Sequence, residues 1–77
     1  MLVPAQVKMA RAAIGLGVRD LAKLAGVAPN TISRFEGGGG IHTSNLQKIQ
    51  AALESAGVAF IPENGGGPGV RLKTFDR

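Results

Sequence analysis

Two short amphipathic segments separated by only three residues constrain this chain more than any other feature. Val18, Leu21, Ala22 and Ala25 repeat at the i, i+3, i+4, i+7 spacing that lines apolar side chains along one face of a helix. Gly26 stops that helix, because glycine adopts the left-handed dihedrals of a helix end without steric cost. The next helix begins almost at once. Pro29 suits a first turn, where its missing N–H loses no partner, and Ile32 and Phe35 point the same way before Gly37-Gly38-Gly39-Gly40 cuts the pattern off. Ala22 is small where the two helices must approach, and Leu21, Ala25, Val27, Ile32 and Phe35 supply the apolar contacts between them. Helices joined this tightly cross at roughly 90–120°, which leaves the second free to enter a major groove. An ordinary helical hairpin satisfies the same apolar pattern, so this segment by itself leaves both readings open.

The flanks extend the pattern. Pro4 opens a first helix in which Val7, Ala10 and Ile14 follow at helical spacing, and Gly15 and Gly17 are read as its end. Thr43 or Ser44 is the candidate cap of a fourth helix with the stripe Leu46, Ile49, Leu53 and Ala56, ended by Gly57. The period then changes to strict alternation. Val58-Ala59-Phe60-Ile61, a Gly- and Pro-rich stretch from Pro62 to Gly69, and Val70-Arg71-Leu72-Lys73 read as a β-hairpin with a long, mobile loop. Val58 and Phe60 fall on one face, Ala59 and Ile61 on the other. Two strands alone are marginal in water, so this hairpin must rest on the helices or pair with another chain. The fold class predicted is mainly α: a bundle of four helices over residues 1–57, then a hairpin and tail over 58–77 within the same single domain.

At 77 residues the chain holds one small domain, without room for both an enzyme core and a cleft. No Trp or Tyr is present, so Leu, Ile, Val and Ala must build a thin core that a partner subunit would help. There is no Cys, and His42 stands without companions at metal-ligand spacing, so neither a metal nor a cofactor is expected. No nucleophile, base and orienting group occur together, so an enzyme is not expected. No apolar run approaches the roughly 18 residues of a membrane span, and the N-terminus lacks the order of a signal peptide, which makes a cytoplasmic protein the default. Gly37 to Gly40 do not form a nucleotide-phosphate loop, since no Gly-Lys-Ser/Thr follows them; they read as a connection between helices. The formal net charge is +4, which suits a polyanionic partner. Its distribution says more: residues 1–36 carry Lys8, Arg11, Arg19, Lys23 and Arg34 against Asp20 and Glu36, a net +3.

Leu21-Ala22, Gly26-Val27, Thr31-Ile32-Ser33-Arg34 and Glu36 resemble the Cro/repressor-type (XRE) helix-turn-helix regulators of bacteria and phages, over about residues 7–57. The spacing from Arg11 through Gly15-Leu16 to Glu36 matches as well. In that family five helices are usual, whereas a hairpin here stands in place of the last. The resemblance implies a lambda-repressor-like fold whose recognition helix is residues 29–36, with Pro29, Asn30, Ser33 and Arg34 facing outward. Arg34 can donate two parallel hydrogen bonds to a guanine edge and Asn30 can pair similarly with adenine, while Thr31 is assigned to phosphate. Arg19 and Lys23 complete the implied DNA-binding set, and Arg11 and Glu36 occupy the positions of a structural ion pair. Val18 stands where the family commonly has a Gln that holds a phosphate, leaving the backbone amides and Arg19 for that task. Ala28 replaces the usual Ser cap.

Three functions follow from this sequence. The first is a sequence-specific transcriptional regulator that binds double-stranded DNA as a homodimer, paired through the C-terminal hairpin or through helix four. The second is an antitoxin-like DNA-binding partner of a toxin. The third retains the fold without DNA binding, as a protein-interaction module that offers the hairpin as a pairing edge.

Overall fold

The computed structural model describes residues 2–73; the tail, 74–77, lies outside the described residues. Helix α1 (Pro4–Ile14) starts on its proline, and the Val3 N–H donates to Gln6 Oε1 at 3.0 Å across the first turn. It ends at Gly15, whose φ of 70° lets the Leu16 N–H reach back to the Arg11 carbonyl at 3.0 Å. Gly17, read with Gly15 as a terminator, serves the next helix instead: it precedes α2 (Val18–Ala25), and its N–H donates to the Asp20 carboxylate at 3.1 Å. Helix α2 closes on Gly26, φ 73°, with the Gly26 and Val27 N–H groups both donating to the Ala22 carbonyl. Only Val27 and Ala28 then remain before α3 (Pro29–Glu36).

The fourth helix, α4 (Thr43–Ser55), starts on a different residue from the one the sequence indicates. Its first intrahelical bond runs from the Leu46 N–H to the His42 carbonyl at 3.0 Å, which makes His42 the cap and Thr43 the first helical residue. Ala56, read as part of the buried stripe, is the exposed C-cap, because the chain leaves the helix there and turns at Gly57, φ 108°.

Each helix sends its apolar stripe to one core, made of Val7 and Ala10, Leu21 and Ala22, Ile32 and Phe35, and Leu46, Ile49 and Leu53, with Leu2 and Val58 added from the flanks. Phe35 is the only aromatic side chain in that set, so the helices approach closely around aliphatic groups.

Strands β1 (Val58–Ile61) and β2 (Gly69–Leu72) form an antiparallel pair in the register Val58↔Leu72 to Ile61↔Gly69. The second strand thus begins at Gly69, one residue before the alternation suggests, and stops at Leu72. Lys73 lies beyond the ladder: its backbone N–H donates to Gly57 and its Nζ to the Glu54 carbonyl, both at 2.8 Å. A cation there complements the negative end of α4. Val58 is fully buried, Phe60 and Val70 pack on the core, and the hairpin rests on α1 and α4. The alternation leaves Ala59, Ile61 and Arg71 on the opposite face. The loop between the strands, read from its composition as mobile, is braced by Glu63, whose carboxylate accepts from the Gly65 and Gly67 N–H groups at 3.1 and 3.2 Å. Among the described residues no helix is long and apolar enough to cross a membrane.

Candidate nucleic-acid interface

Helix α3 is divided lengthwise by the side chains that bury and those that do not. Ile32, Phe35 and Glu36 are buried; Asn30, Ser33 and Arg34 are exposed on the opposite side, Pro29 is exposed as the first residue of the helix, and Thr31 is half-buried. Two apolar anchors three residues apart leave the polar positions no alternative to solvent. No side chain caps the first turn, since Ala28 stands at the N-cap position.

The far end of α3 is held from two directions. Arg11 on α1 meets Glu36 in a two-pronged pair, Nε to Oε2 and Nη2 to Oε1, each at 2.7 Å. The third nitrogen of the guanidinium, Nη1, donates to the Leu16 carbonyl at 3.1 Å, so one side chain joins α1, the α1–α2 turn and α3. Glu36 is 8% exposed and the Arg11 side chain 22%, so the pair is largely withdrawn from water. Hydrogen bonding to Glu36 raises the Arg11 pKa above its ordinary value; burial opposes the shift and the charge of Glu36 adds to it. Beyond Glu36 the chain folds back on the helix, and the Gly39 N–H donates to the Arg34 carbonyl at 2.7 Å. A Cβ at Gly39 would sit 2.9 Å from that same backbone oxygen, which explains a glycine there by close approach.

The remaining cations implied by the sequence lie on a different element. Arg19 and Lys23 are exposed on α2 and, like Arg34, form no ion pair among the described residues. Thr31 and Arg34 are brought together with Gly40, Ile41, His42 and Asn45 around one polar concavity between the outer side of α3 and the start of α4. Neither His42, which stands without companions at metal-ligand spacing, nor Asn45 belongs to the site that the sequence implies. The signal available was positional: a helix whose stripe begins at Leu46 must start a few residues earlier, beside whatever precedes it. No side chain caps the first turn of α4, which carries no acidic residue and whose N–H groups are suited to anions; at α2 the Asp20 carboxylate already accepts from the Gly17 N–H.

A tight pair of helices with the second pinned by its inner face and presenting short polar and basic groups outward defines a helix-turn-helix DNA-binding domain. A family model described as helix-turn-helix matches residues 7–56, and the chain belongs to that family, the Cro/C1-type (XRE) domains. Membership carries DNA binding with it, in a family that is typically non-enzymatic. A comparison with curated proteins finds no match.

Proposed function

We propose that this protein is a sequence-specific transcriptional regulator that reads an operator with α3 and acts as a homodimer in the cytoplasm. The observation that carries the reading is the outward face of α3, where Asn30, Ser33 and Arg34 are exposed on a helix whose other side is buried through Ile32, Phe35 and Glu36. A helix held this way meets a major groove with its side chains already oriented. In this reading Arg34 pairs with a guanine edge and Asn30 with an adenine edge, each worth about 1–3 kcal/mol of discrimination. Ser33 and Pro29 lie against neighbouring base edges. Thr31, Arg19 and Lys23 serve phosphates, which position the helix and carry no sequence information.

In the homodimer of this reading, two recognition helices about 34 Å apart, related by a two-fold axis, read two half-sites on one side of the duplex. The outer face of the hairpin, with Ala59 and Ile61, is the surface assigned to that contact, and the exposed side of α4 is the alternative.

The decisive experiment is selection of bound sequences from a random DNA pool, followed by a salt titration on the winning site. A pseudo-palindromic consensus is expected, with log affinity falling about 0.9 units per log unit of salt for each phosphate neutralised. Recovery of no consensus, or an affinity indifferent to salt, would end the regulator reading.

A further inference from the structure

We infer that Gln6 is a positioning residue of the DNA-binding surface: it fastens the hairpin to the first helix and so holds that helix where Arg11 grips the end of α3. Gln6 is 2% exposed, and both polar atoms of its carboxamide are hydrogen-bonded. Oε1 accepts from the Val3 N–H at 3.0 Å, while Nε2 donates to the carbonyls of Ile61 at 3.2 Å and Gly69 at 3.0 Å. Ile61 and Gly69 are partners in the hairpin register, at the end of the ladder nearest the loop. One side chain therefore joins the start of α1 to both strands, across sequence separations of 55 and 63 residues.

The orientation of that amide is not free. Exchanging its oxygen and nitrogen would turn an oxygen toward two carbonyl oxygens and an NH2 toward an N–H, leaving all three contacts repulsive. Apolar packing of Phe60 and Val70 tolerates small slips, whereas two hydrogen bonds to opposed carbonyls do not. Among the described hydrogen bonds these are the ones that join the hairpin to α1; Lys73 joins it to α4. Arg11 follows Gln6 on the same helix and makes its three bonds to Glu36 and Leu16. Helix α1 is thus tied by polar contacts near both ends, to the hairpin by one residue and to the recognition helix by the other.

Two variants of the full chain separate the contacts. Gln6→Glu keeps an acceptor for the Val3 N–H but sets a carboxylate against two carbonyl oxygens. Gln6→Met keeps the length and places neither charge nor hydrogen bond there, and it decides the matter if the first variant does not fold. The measurement is residue-resolved hydrogen exchange by NMR, then affinity for the selected operator. We expect the β1 and β2 amides to exchange at least about tenfold faster and the Arg11 Nε–H several-fold faster, with the Ile49 amide of α4 changed far less. Operator affinity should fall about three- to tenfold with base preference unchanged. Equal acceleration at Ile49 would reduce Gln6 to a contributor to global stability and overturn the inference. So would a loosened hairpin with the Arg11 Nε–H unmoved, or a hairpin that does not loosen. Only the affinity arm rests on the function proposed above. If the unaltered protein binds no DNA, that reading fails while the exchange measurements still decide the role of Gln6.

Discussion

Arg11 and Glu36 show what a charged pair contributes when it is drawn out of water. Both prongs are short and the third nitrogen has its own carbonyl, so the guanidinium is satisfied only while Glu36 is present. Glu36→Ala should destabilise the protein by about 3 kcal/mol, near the lower limit for breaking a buried pair because Arg11 still reaches solvent. Urea denaturation checks this, and Arg11→Met with Glu36→Leu together should recover much of the loss. Because the Arg11 pKa is raised on folding, its contribution is fully present below the unfolded-chain value and is lost only as pH rises through the higher folded value, in strong alkali. Below about pH 10 Arg11 should add no slope to stability. On the outer side of α3 the residues separate by role. Arg34→Ala and Asn30→Ala should relax base preference in a binding-site selection with the fold intact, whereas Lys23→Ala should weaken all sequences about equally. An unchanged consensus for Arg34→Ala would mean that another residue reads the groove.

At the scale of the element, α3 cannot stand without the rest of the domain. It is eight residues long, too short to persist alone, and its N-cap is an alanine. What holds it is burial of Ile32 and Phe35 on one side and the grip on Glu36 at its end. Ala28 already has the extended dihedrals of a capping residue, φ −71° and ψ 142°; the Thr31 N–H donates to its carbonyl at 3.0 Å, and Ala28→Ser adds a side-chain acceptor for the Asn30 N–H without moving the backbone. This substitution should stabilise the protein by about 1 kcal/mol. Thermal denaturation should then show a rise of roughly 4–8 °C. No rise would mean that the first turn already has its partners by another route. The hairpin, too, is an element maintained from outside: its two strands are short, and Val58, Phe60, Val70 and the Gln6 amide attach it to the helices.

For the whole molecule the attachment of the hairpin changes how a dimer must be tested. Val58 is fully buried and Ile61 and Gly69 receive the Gln6 amide, so removing the hairpin would open the core as well as any subunit contact. Ala59 stands on the face turned away from the helices, and Ala59→Lys places a charge there without entering the core. Light scattering should show the unaltered chain as a dimer and Ala59→Lys as a monomer, with the helical circular dichroism of the two alike. If Ala59→Lys remains a dimer, the outer face of the hairpin is not the contact, and the exposed side of α4 becomes the better candidate.

The helix-turn-helix was legible in the linear order because its determinants are local: apolar spacing from Val18 to Ala25, Gly26 at the turn, Pro29 at a first turn, and Ile32 with Phe35 on one side. The outward placement of Asn30, Ser33 and Arg34 follows from the same period, while Pro29 is exposed as the first helical residue; the existence of a hairpin follows from the switch to alternation. Boundaries were less legible. His42 rather than Thr43 or Ser44 occupies the N-cap position of α4, and Gly69 rather than Val70 begins β2, because a helix or strand ends where a particular hydrogen bond closes. What only the tertiary structure decided were the contacts between distant segments: the Gln6 amide on Ile61 and Gly69, the concavity that gathers Thr31 and Arg34 with His42 and Asn45, and the seating of Lys73 on the end of α4. A local period tells a side chain only whether it faces inward or outward. Which atom it meets there depends on how the elements pack, and that is set by all the buried surfaces together.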